Sequence, residues 1–240
     1  MKCALSGGVD SAVSAALLKQ KGFAVTAVFM KNFDAIKHNI SVSGCTSAED
    51  QYMAKTAAQF LSIPFYVVNF EREYQKYVLD YFWKEFKNGR TPNPDVLCNT
   101  FIKFGELLKF AKSMGIDSVA TGHYARLRRE ILNPKSQIPN KPKIQNSEYK
   151  IQLLRGKDKN KDQSYFLWQL SQEQLENIIF PIGELTKPEV RKLAKKFKLP
   201  NAERKDSQGI CFVGKISVNE FLKTQIKPKK GKVILKDGTI

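Results

Sequence analysis

The chain is short of cysteine, of acid and of long apolar runs, and each shortage narrows what it can be. Its 240 residues carry four cysteines, Cys3, Cys45, Cys98 and Cys211, scattered and without a C-x-x-C pair. They are too few for a secreted disulfide framework and wrongly spaced for structural zinc. A reducing interior is expected, in which isolated thiols persist as core filler or as chemistry. No tightly bound metal is expected. No apolar run reaches the ~20 residues of a membrane span and no signal-peptide pattern precedes the first strand, so no membrane partner is expected. Acidic residues number 23 against 40 Lys and Arg, a net charge of +17. Such an excess implies a polyanionic partner, with phosphate neutralisation supplying much of the affinity. Charge alone separates neither RNA from DNA nor either from an acidic surface, and a lysine-rich proteome produces the same excess. No internal repeat is visible. Apolar content of 42% suffices for the core of one large domain or one and a half.

The first half alternates strand and helix patterns. After a glycine-bearing loop, Val13, Ala16, Leu17 and Leu18 predict one face of a helix that stops at Gly22. Residues 23–30 form a nearly continuous apolar run, as in a strand buried on both faces. A helix from Ser47, with Asp50 as capping-box partner, turns Met53, Ala57, Phe60 and Leu61 inward before a strand over 63–70. A helix over 71–86 places Tyr74, Tyr77, Val78, Tyr81 and Phe82 at helical spacing, and packing explains this stripe better than base stacking. Then come a loop with Pro92 and Pro94, a helix over 99–114 and a strand over 116–121. Repeated βαβ units imply an α/β fold with a doubly wound parallel sheet, its ligands outside the carboxyl ends of the strands. Residues 126–150 break the pattern and read as an exposed insertion. Capping boxes at Ser171/Gln174 and Thr186/Glu189 announce two later helices, the second strongly basic through Arg191, Lys192, Lys195, Lys196 and Lys198. For those cations a solvated face and a phosphate-facing surface are equally open. Residues 227–240 resemble the first hairpin of a further domain.

Three segments carry chemistry. In Leu5-Ser6-Gly7-Gly8-Val9-Asp10-Ser11 two glycines let the backbone turn tightly and bring its N–H groups against an anion, while the helix behind them contributes a positive dipole end. No lysine follows the glycines, so this is not a G-x-x-x-x-G-K-[ST] loop. In Thr91-Pro92-Asn93-Pro94-Asp95-Val96-Leu97-Cys98-Asn99, proline fixes the backbone and Cys98 falls at a helix start, where a thiol is acidified. A buried, inert cysteine beside an Asx turn fits the local sequence equally well. In Asp206-Ser207-Gln208-Gly209-Ile210-Cys211-Phe212, glycine and serine make the backbone around a second thiol pliable.

The first segment resembles the pyrophosphate loop of ATP pyrophosphatases. The three together resemble the tRNA-specific 2-thiouridylase family, supported by Val28-Phe29-Met30-Lys31-Asn32, Ile102-Lys103-Phe104, 120–126, Leu153-Leu154-Arg155-Gly156, 161–167, and 180–185 with Lys187. The match runs to about Gly231, interrupted over 127–151. It implies an adenine-nucleotide alpha-hydrolase-like catalytic domain over 1–170, with 127–150 as its insertion. A small helical domain over 171–226 would carry the second cysteine, and 227–240 would begin a C-terminal β-barrel that is truncated here. It implies ATP, with Mg2+, bound over Ala4, Leu5, Ser6, Gly7, Gly8, Val9, Asp10 and Ser11, with Met30 near the adenine and Gly122 at the neighbouring strand end. The uracil C2 oxygen of a wobble uridine would attack the α-phosphate. A persulfide on Cys211, loaded by an upstream sulfur-relay protein, would supply sulfur, and Cys98 would attack the Cys211 sulfur to leave a disulfide. By the same resemblance Asp95 is the acid/base, Asn93, Pro94 and Asp95 touch the target base, and Lys161, Asp162 and Gln163 contact tRNA. Wording such as Val9-Asp10-Ser11-Ala12-Val13 leans towards mitochondrial members, with a bacterial cytoplasm as the alternative. Phe33 replaces a tryptophan usual in the family, and Cys45 matches a position best explained by packing. An amide-forming ligase or a noncatalytic RNA-binding scaffold would need neither Cys98 nor Cys211.

Overall fold

The computed structural model describes residues 2–4, 6–35, 46–116, 118–131, 149–206, 218–227, 231, 235–236 and 238–239. Among them the strands are β1 (Lys2–Ala4), β2 (Thr26–Lys31), β3 (Phe65–Asn69), β4 (Val119–Ala120), β5 (Ala125–Ile131), β6 (Tyr149–Arg155) and β7 (Ile178–Ile179). Five of them form one parallel sheet in the order β3-β2-β1-β4-β7. The chain thus adopts the α/β class expected from its sequence. The strands on either side of β1 come from different parts of the chain, so a crevice opens beyond the carboxyl ends of β1 and β4. Ser6-Gly7-Gly8 and Thr121-Gly122-His123 leave those two strand ends.

The helices are α1 (Val9–Gln20), α2 (Thr46–Phe60), α3, running through Glu71–Tyr74, Gln75–Leu79 and Asp80–Lys87, and α4, running through Pro94–Leu97, Cys98–Glu106 and Leu107–Ser113. After them come α5 (Gln172–Glu176), α6 (Lys187–Lys196) and α7 (Val218–Lys223). Side chains of β2 alternate as a strand with two covered faces must. Ala27 and Phe29 join Val13, Ala16, Ala57, Val190 and Ala194 on the α1, α2 and α6 side, whereas Val28 and Met30 join Tyr74, Val78, Phe82, Cys98 and Ile102 on the α3 and α4 side. Helix α1 is buried nearly all round, not on one face, because Ser11, Ala12, Ser14, Ala15 and Ala16 are small enough for close approach from every side. Both predicted capping boxes form at α5 and α6, each satisfying orphan N–H groups for about 1 kcal/mol.

Several sequence expectations need correction. The strand expected over 23–30 begins at Thr26, and Phe23 is exposed. The 63–70 strand shortens to Phe65–Asn69 and lies at the sheet edge, where Tyr66 and Val67 face solvent. Phe60 is exposed, since Ala54, Ala57 and Ala58 make the inward stripe of α2. In the aromatic stripe Tyr74, Val78 and Phe82 are core, but Tyr81 is exposed because the wider i→i+5 turns over Gln75–Leu79 rotate the face by the time it is reached. Helix α4 starts at Pro94, not 99, since proline fits the first helical turn. The edges of the presumed insertion are ordered: β5 and β6 pair antiparallel from Ala125↔Arg155 to Ile131↔Tyr149. Their underside packs on Phe104, Leu167, Leu170 and Leu175. Charged residues at alternate positions of an exposed two-stranded ribbon hide such a strand signal. The capping-box side chain of Ser47, the rest of the insertion and most of the 227–240 hairpin lie outside the described residues.

Candidate active site

The loop between β1 and α1 is built by small side chains. Gly7 takes φ 77°, where any side chain is strained, and a Cβ there would also sit 2.4 Å from the Asp50 carbonyl oxygen. The Ser6 N–H donates to Ser11 Oγ at 3.3 Å, the Gly8 N–H to Ser6 Oγ at 3.4 Å, and the Ser11 hydroxyl to the Gly8 carbonyl at 3.1 Å. These bonds close the loop over the N-terminus of α1, whose first-turn N–H groups supply the positive end of the dipole. From the far side Asn201 Nδ2 donates to the Gly7 and Gly8 carbonyls at 3.0 Å, and Arg204 donates to the Gly7 carbonyl at 3.0 Å while pairing with Asp50. With the Gly7 and Gly8 carbonyls engaged on that side and the Ser6 and Gly8 N–H groups bonded within the loop, the first turn of α1 is the part of the loop suited to an anion.

Gly122 completes the wall. A Cβ on it would lie 2.7 Å from the Ser11 nitrogen and 2.8 Å from the Asp10 carbonyl carbon, so the strand end and the helix start touch through backbone. Next to it the Tyr124 hydroxyl donates to Asp10 Oδ1 at 2.9 Å, and Lys187 Nζ donates to both Asp10 oxygens at 2.8 Å. Burial first, then the Asp10 charge, raises the Tyr124 phenol far above its ordinary range, so it acts only as a neutral donor. Asp206 in turn receives Lys187 at 2.7 Å, Lys161 at 2.8 Å and Arg191 at 2.8 Å.

Lys161, Asp162 and Gln163 border this cluster, each engaged within the chain. Asp162 accepts the Gly156 N–H at 2.9 Å and the Ser164 hydroxyl at 2.9 Å, and Gln163 exchanges bonds with the Tyr124 main chain. Of the expected nucleotide residues, Ser6 to Ser11 and Gly122 come together; Ala4 is placed by its backbone alone, and Leu5 lies outside the described residues.

Asn93, Pro94 and Asp95 form the cap and first turn of α4, with Asn93 Oδ1 accepting the Val96 N–H at 3.4 Å and the Asp95 carbonyl accepting from Asn99 at 2.9 Å. Cys98 is not at the helix start. Its N–H is already within the α4 hydrogen-bond ladder, so the exposed dipole end does not act on it directly. Its side chain is 0% exposed and shares a cluster with Met30, Phe33, Val78, Phe82 and Phe221. Met30, expected near the adenine, thus shares the thiol's cluster on the same side of the sheet. Cys211 lies outside the described residues, but the residues flanking its segment do not: Asp206 is tied to the loop cluster, and Phe221 to the Cys98 cluster.

Comparison with known proteins bears directly on this geometry. The family described as "tRNA methyl transferase HUP domain" matches residues 1–215. The chain belongs to this family. Among curated proteins it is 49% identical to a tRNA-specific 2-thiouridylase of Geobacillus kaustophilus, over 98% of this chain and 58% of that protein. The corresponding figures are 48%, 98% and 58% for that of Ligilactobacillus salivarius, and 49%, 96% and 55% for that of Flavobacterium johnsoniae. The 2-thiouridylase resemblance read from the motifs is borne out at the level of family. The chain spans a little over half the length of these relatives. An NMN synthetase from Francisella tularensis aligns over 86% of this chain and 65% of its own at 16% identity and a TM-score of 0.48, a likeness too remote to inform on the site.

Sequence reasoning did not single out Tyr124, Lys187, Asn201, Arg204 or Asp206 as site residues. Lys187 stood in a matching stretch without a role, and nothing local in Asn201 or Arg204 announces a contact to a loop at the other end of the chain. His123 is equally cryptic. Its Nδ1 lies 2.7 Å from Thr121 Oγ1, and burial, helped by Lys103, holds its pKa well below 6.5. The unfolded chain therefore takes up a proton below about pH 6.5 that the folded site refuses, so this group makes stability fall as pH drops below that value. Urea unfolding of His123→Gln between pH 7 and pH 5 is expected to lose that component; an unchanged slope would assign it elsewhere.

Proposed function

We propose that the chain is the catalytic portion of a tRNA 2-thiouridylase, using ATP to adenylate the C2 carbonyl of a wobble uridine and a cysteine persulfide to replace that oxygen by sulfur. The observation carrying this reading is a closed main-chain anion cradle on α1, walled by Gly122, in a chain of this family. ATP lies over Ala4 to Ser11 in this reading, with Met30 towards the adenine. Oxide is a poor leaving group and AMP a good one, which is why the carbonyl is adenylated first. The C2 oxygen displaces pyrophosphate from the α-phosphate. The outer sulfur of the Cys211 persulfide attacks C2 and expels AMP, and the Cys98 thiolate then attacks the Cys211 sulfur. Thiouridine leaves, and a Cys98–Cys211 disulfide remains for a reductant to reopen. Asp95 moves the protons, Asn93 and Pro94 seat the base, and Lys161, Asp162 and Gln163 shape the tRNA-facing surface.

Mg2+ enters with the nucleotide and would neutralise its phosphates. Asp10 is the carboxylate within the loop, and both its oxygens already accept from Lys187 and one also from Tyr124. The chain therefore offers no prepared cation site at this point, and in our reading phosphate oxygens hold the ion. In this proposal the catalytic unit extends past residue 170, because β7 belongs to the main sheet and α6 packs into the α1 core, so the division at 170/171 expected from the resemblance is not kept; the basic surface receives tRNA.

The test is nucleoside mass spectrometry on tRNA incubated with the protein, ATP and a persulfide as sulfane-sulfur donor, together with pyrophosphate release. We expect 2-thiouridine and tRNA-dependent pyrophosphate. Release stimulated by an amino acid and not by tRNA would favour an amide-forming ligase instead.

A further inference from the structure

Three cations from separate elements converge on one carboxylate beside the anion cradle. Lys187 opens α6, Arg191 lies one turn further on, Lys161 comes from the turn after β6, and all reach Asp206 within 2.8 Å. Lys187 also holds Asp10 at the mouth of the loop. Its backbone is fixed too, since its N–H donates to Asp158 and Thr186 caps the helix before it.

The three cations face three carboxylates, Asp10, Asp158 and Asp206, and the dipole at the start of α1 adds positive potential beside them. A fold needing only cohesion there gains little from such a set, because partly exposed ion pairs contribute little to stability and crowded like charges repel. Lys187 is the most enclosed member at 14% side-chain exposure, while Asp206 keeps 34%. Arg191, at 26%, is also more enclosed than the shared anion, whereas Lys161, at 43%, is the outermost of the three cations. Burial pushes the Asp206 carboxyl up, but bonds from Lys161 and Lys187 outweigh it and hold the group at about 2. At neutral pH the cluster is therefore filled by a full negative charge.

We propose that Lys161, Lys187 and Arg191 are a binding site for the terminal phosphates of the nucleotide and for the pyrophosphate it releases, and that Asp206 is an internal anion competing for the same cations. This rests on the reading of the Ser6 to Ser11 loop as a nucleotide site. It gives Lys161 a phosphate partner distinct from the tRNA contact that the family resemblance implies. Phosphate from either source satisfies the same chemistry, so the two must be titrated separately.

Titration calorimetry with magnesium pyrophosphate, ATP and tRNA on wild-type protein, Asp206→Asn and Lys161→Gln decides the matter. Asp206→Asn is expected to bind pyrophosphate on the order of fivefold more tightly, and Lys161→Gln on the order of fivefold more weakly, as removal or addition of one competing charge at a partly exposed site should give. Lys161 is 43% exposed, so its variant should melt with the wild type and keeps the test intact should Asp206→Asn fold poorly. Unchanged or weaker pyrophosphate binding by Asp206→Asn, or a Lys161→Gln effect confined to tRNA, would overturn the proposal. If wild-type protein binds neither ATP nor pyrophosphate, the loop reading falls with it. If it binds both and neither variant moves them, the three-cation site is refuted while the loop reading stands.

Discussion

Cys98→Ala yields a protein that binds ATP and releases pyrophosphate with tRNA but forms no detectable 2-thiouridine, a loss of at least ~10³-fold, the scale seen when a nucleophile is removed. The expectation is sharp because the structure makes the opposite outcome reasonable. Cys98 is fully buried among Met30, Val78, Phe82 and Phe221, and a buried cysteine behaves as a small hydrophobe. Were packing its only role, alanine would cost about 1 kcal/mol, the central value for point substitutions, and spare the reaction. Cys98→Ser adds a hydroxyl to an apolar cluster and confounds lost chemistry with lost packing, so alanine is the more discriminating variant. Cys211→Ser should give the same product loss with ATP binding intact.

Burial also sets a condition on the chemistry. For Cys98 and Cys211 to form a disulfide their Cα atoms must approach within about 7 Å, and for Cys98 to reach a base its cluster must open. Phe221 belongs to that cluster. Opening it is expected to loosen Phe221, so oxidation to the disulfide with Phe221 still packed on Phe82 and Trp83, as in the reduced chain, would show that the cluster does not open there.

The tight loop between β1 and α1 was legible from sequence because its determinants are contiguous: two glycines, two serines and a helix start lie within a few residues. The parallel sheet was legible because apolar runs alternate with helical periodicity, and the capping boxes at Ser171 and Thr186 because three-residue spacings are local. What could not be read is whatever depends on long-range contact. Asn201 and Arg204 grip the Gly7 carbonyl from the other end of the chain, and their identities carry no trace of it. The i→i+5 turns in α3 and α4 changed which residues face inward, exposing Tyr81, because a period call assumes a uniform helix. Pro94 marks a helix start and not only loop rigidity, which places Cys98 inside α4, the buried position that the local sequence left as open as the helix start.

Gly122→Ala should raise the dissociation constant for ATP on the order of 100-fold while leaving a folded protein. The reason is close approach and not backbone conformation, for the added Cβ would meet the Ser11 nitrogen at 2.7 Å and the Asp10 carbonyl carbon at 2.8 Å. Both are main-chain atoms of the first turn of α1, so no side chain can swing aside. Relief requires the helix start to move, and overpacking of this kind costs about 1–3 kcal/mol. The same shift misdirects the N–H groups of the cradle and strains the Tyr124–Asp10 and Lys187–Asp10 bonds that brace it; a displacement near 1 Å is enough for losses of order 10² where geometry is preorganised. Gly115→Ala is the control. Gly115 has φ 68° with nothing near its virtual Cβ, so alanine there costs backbone strain of about 1 kcal/mol and should leave ATP binding alone. Equal ATP affinity in the two variants would mean that the strand end after β4 does not set the cradle, and the anion site would have to be sought elsewhere along the crevice.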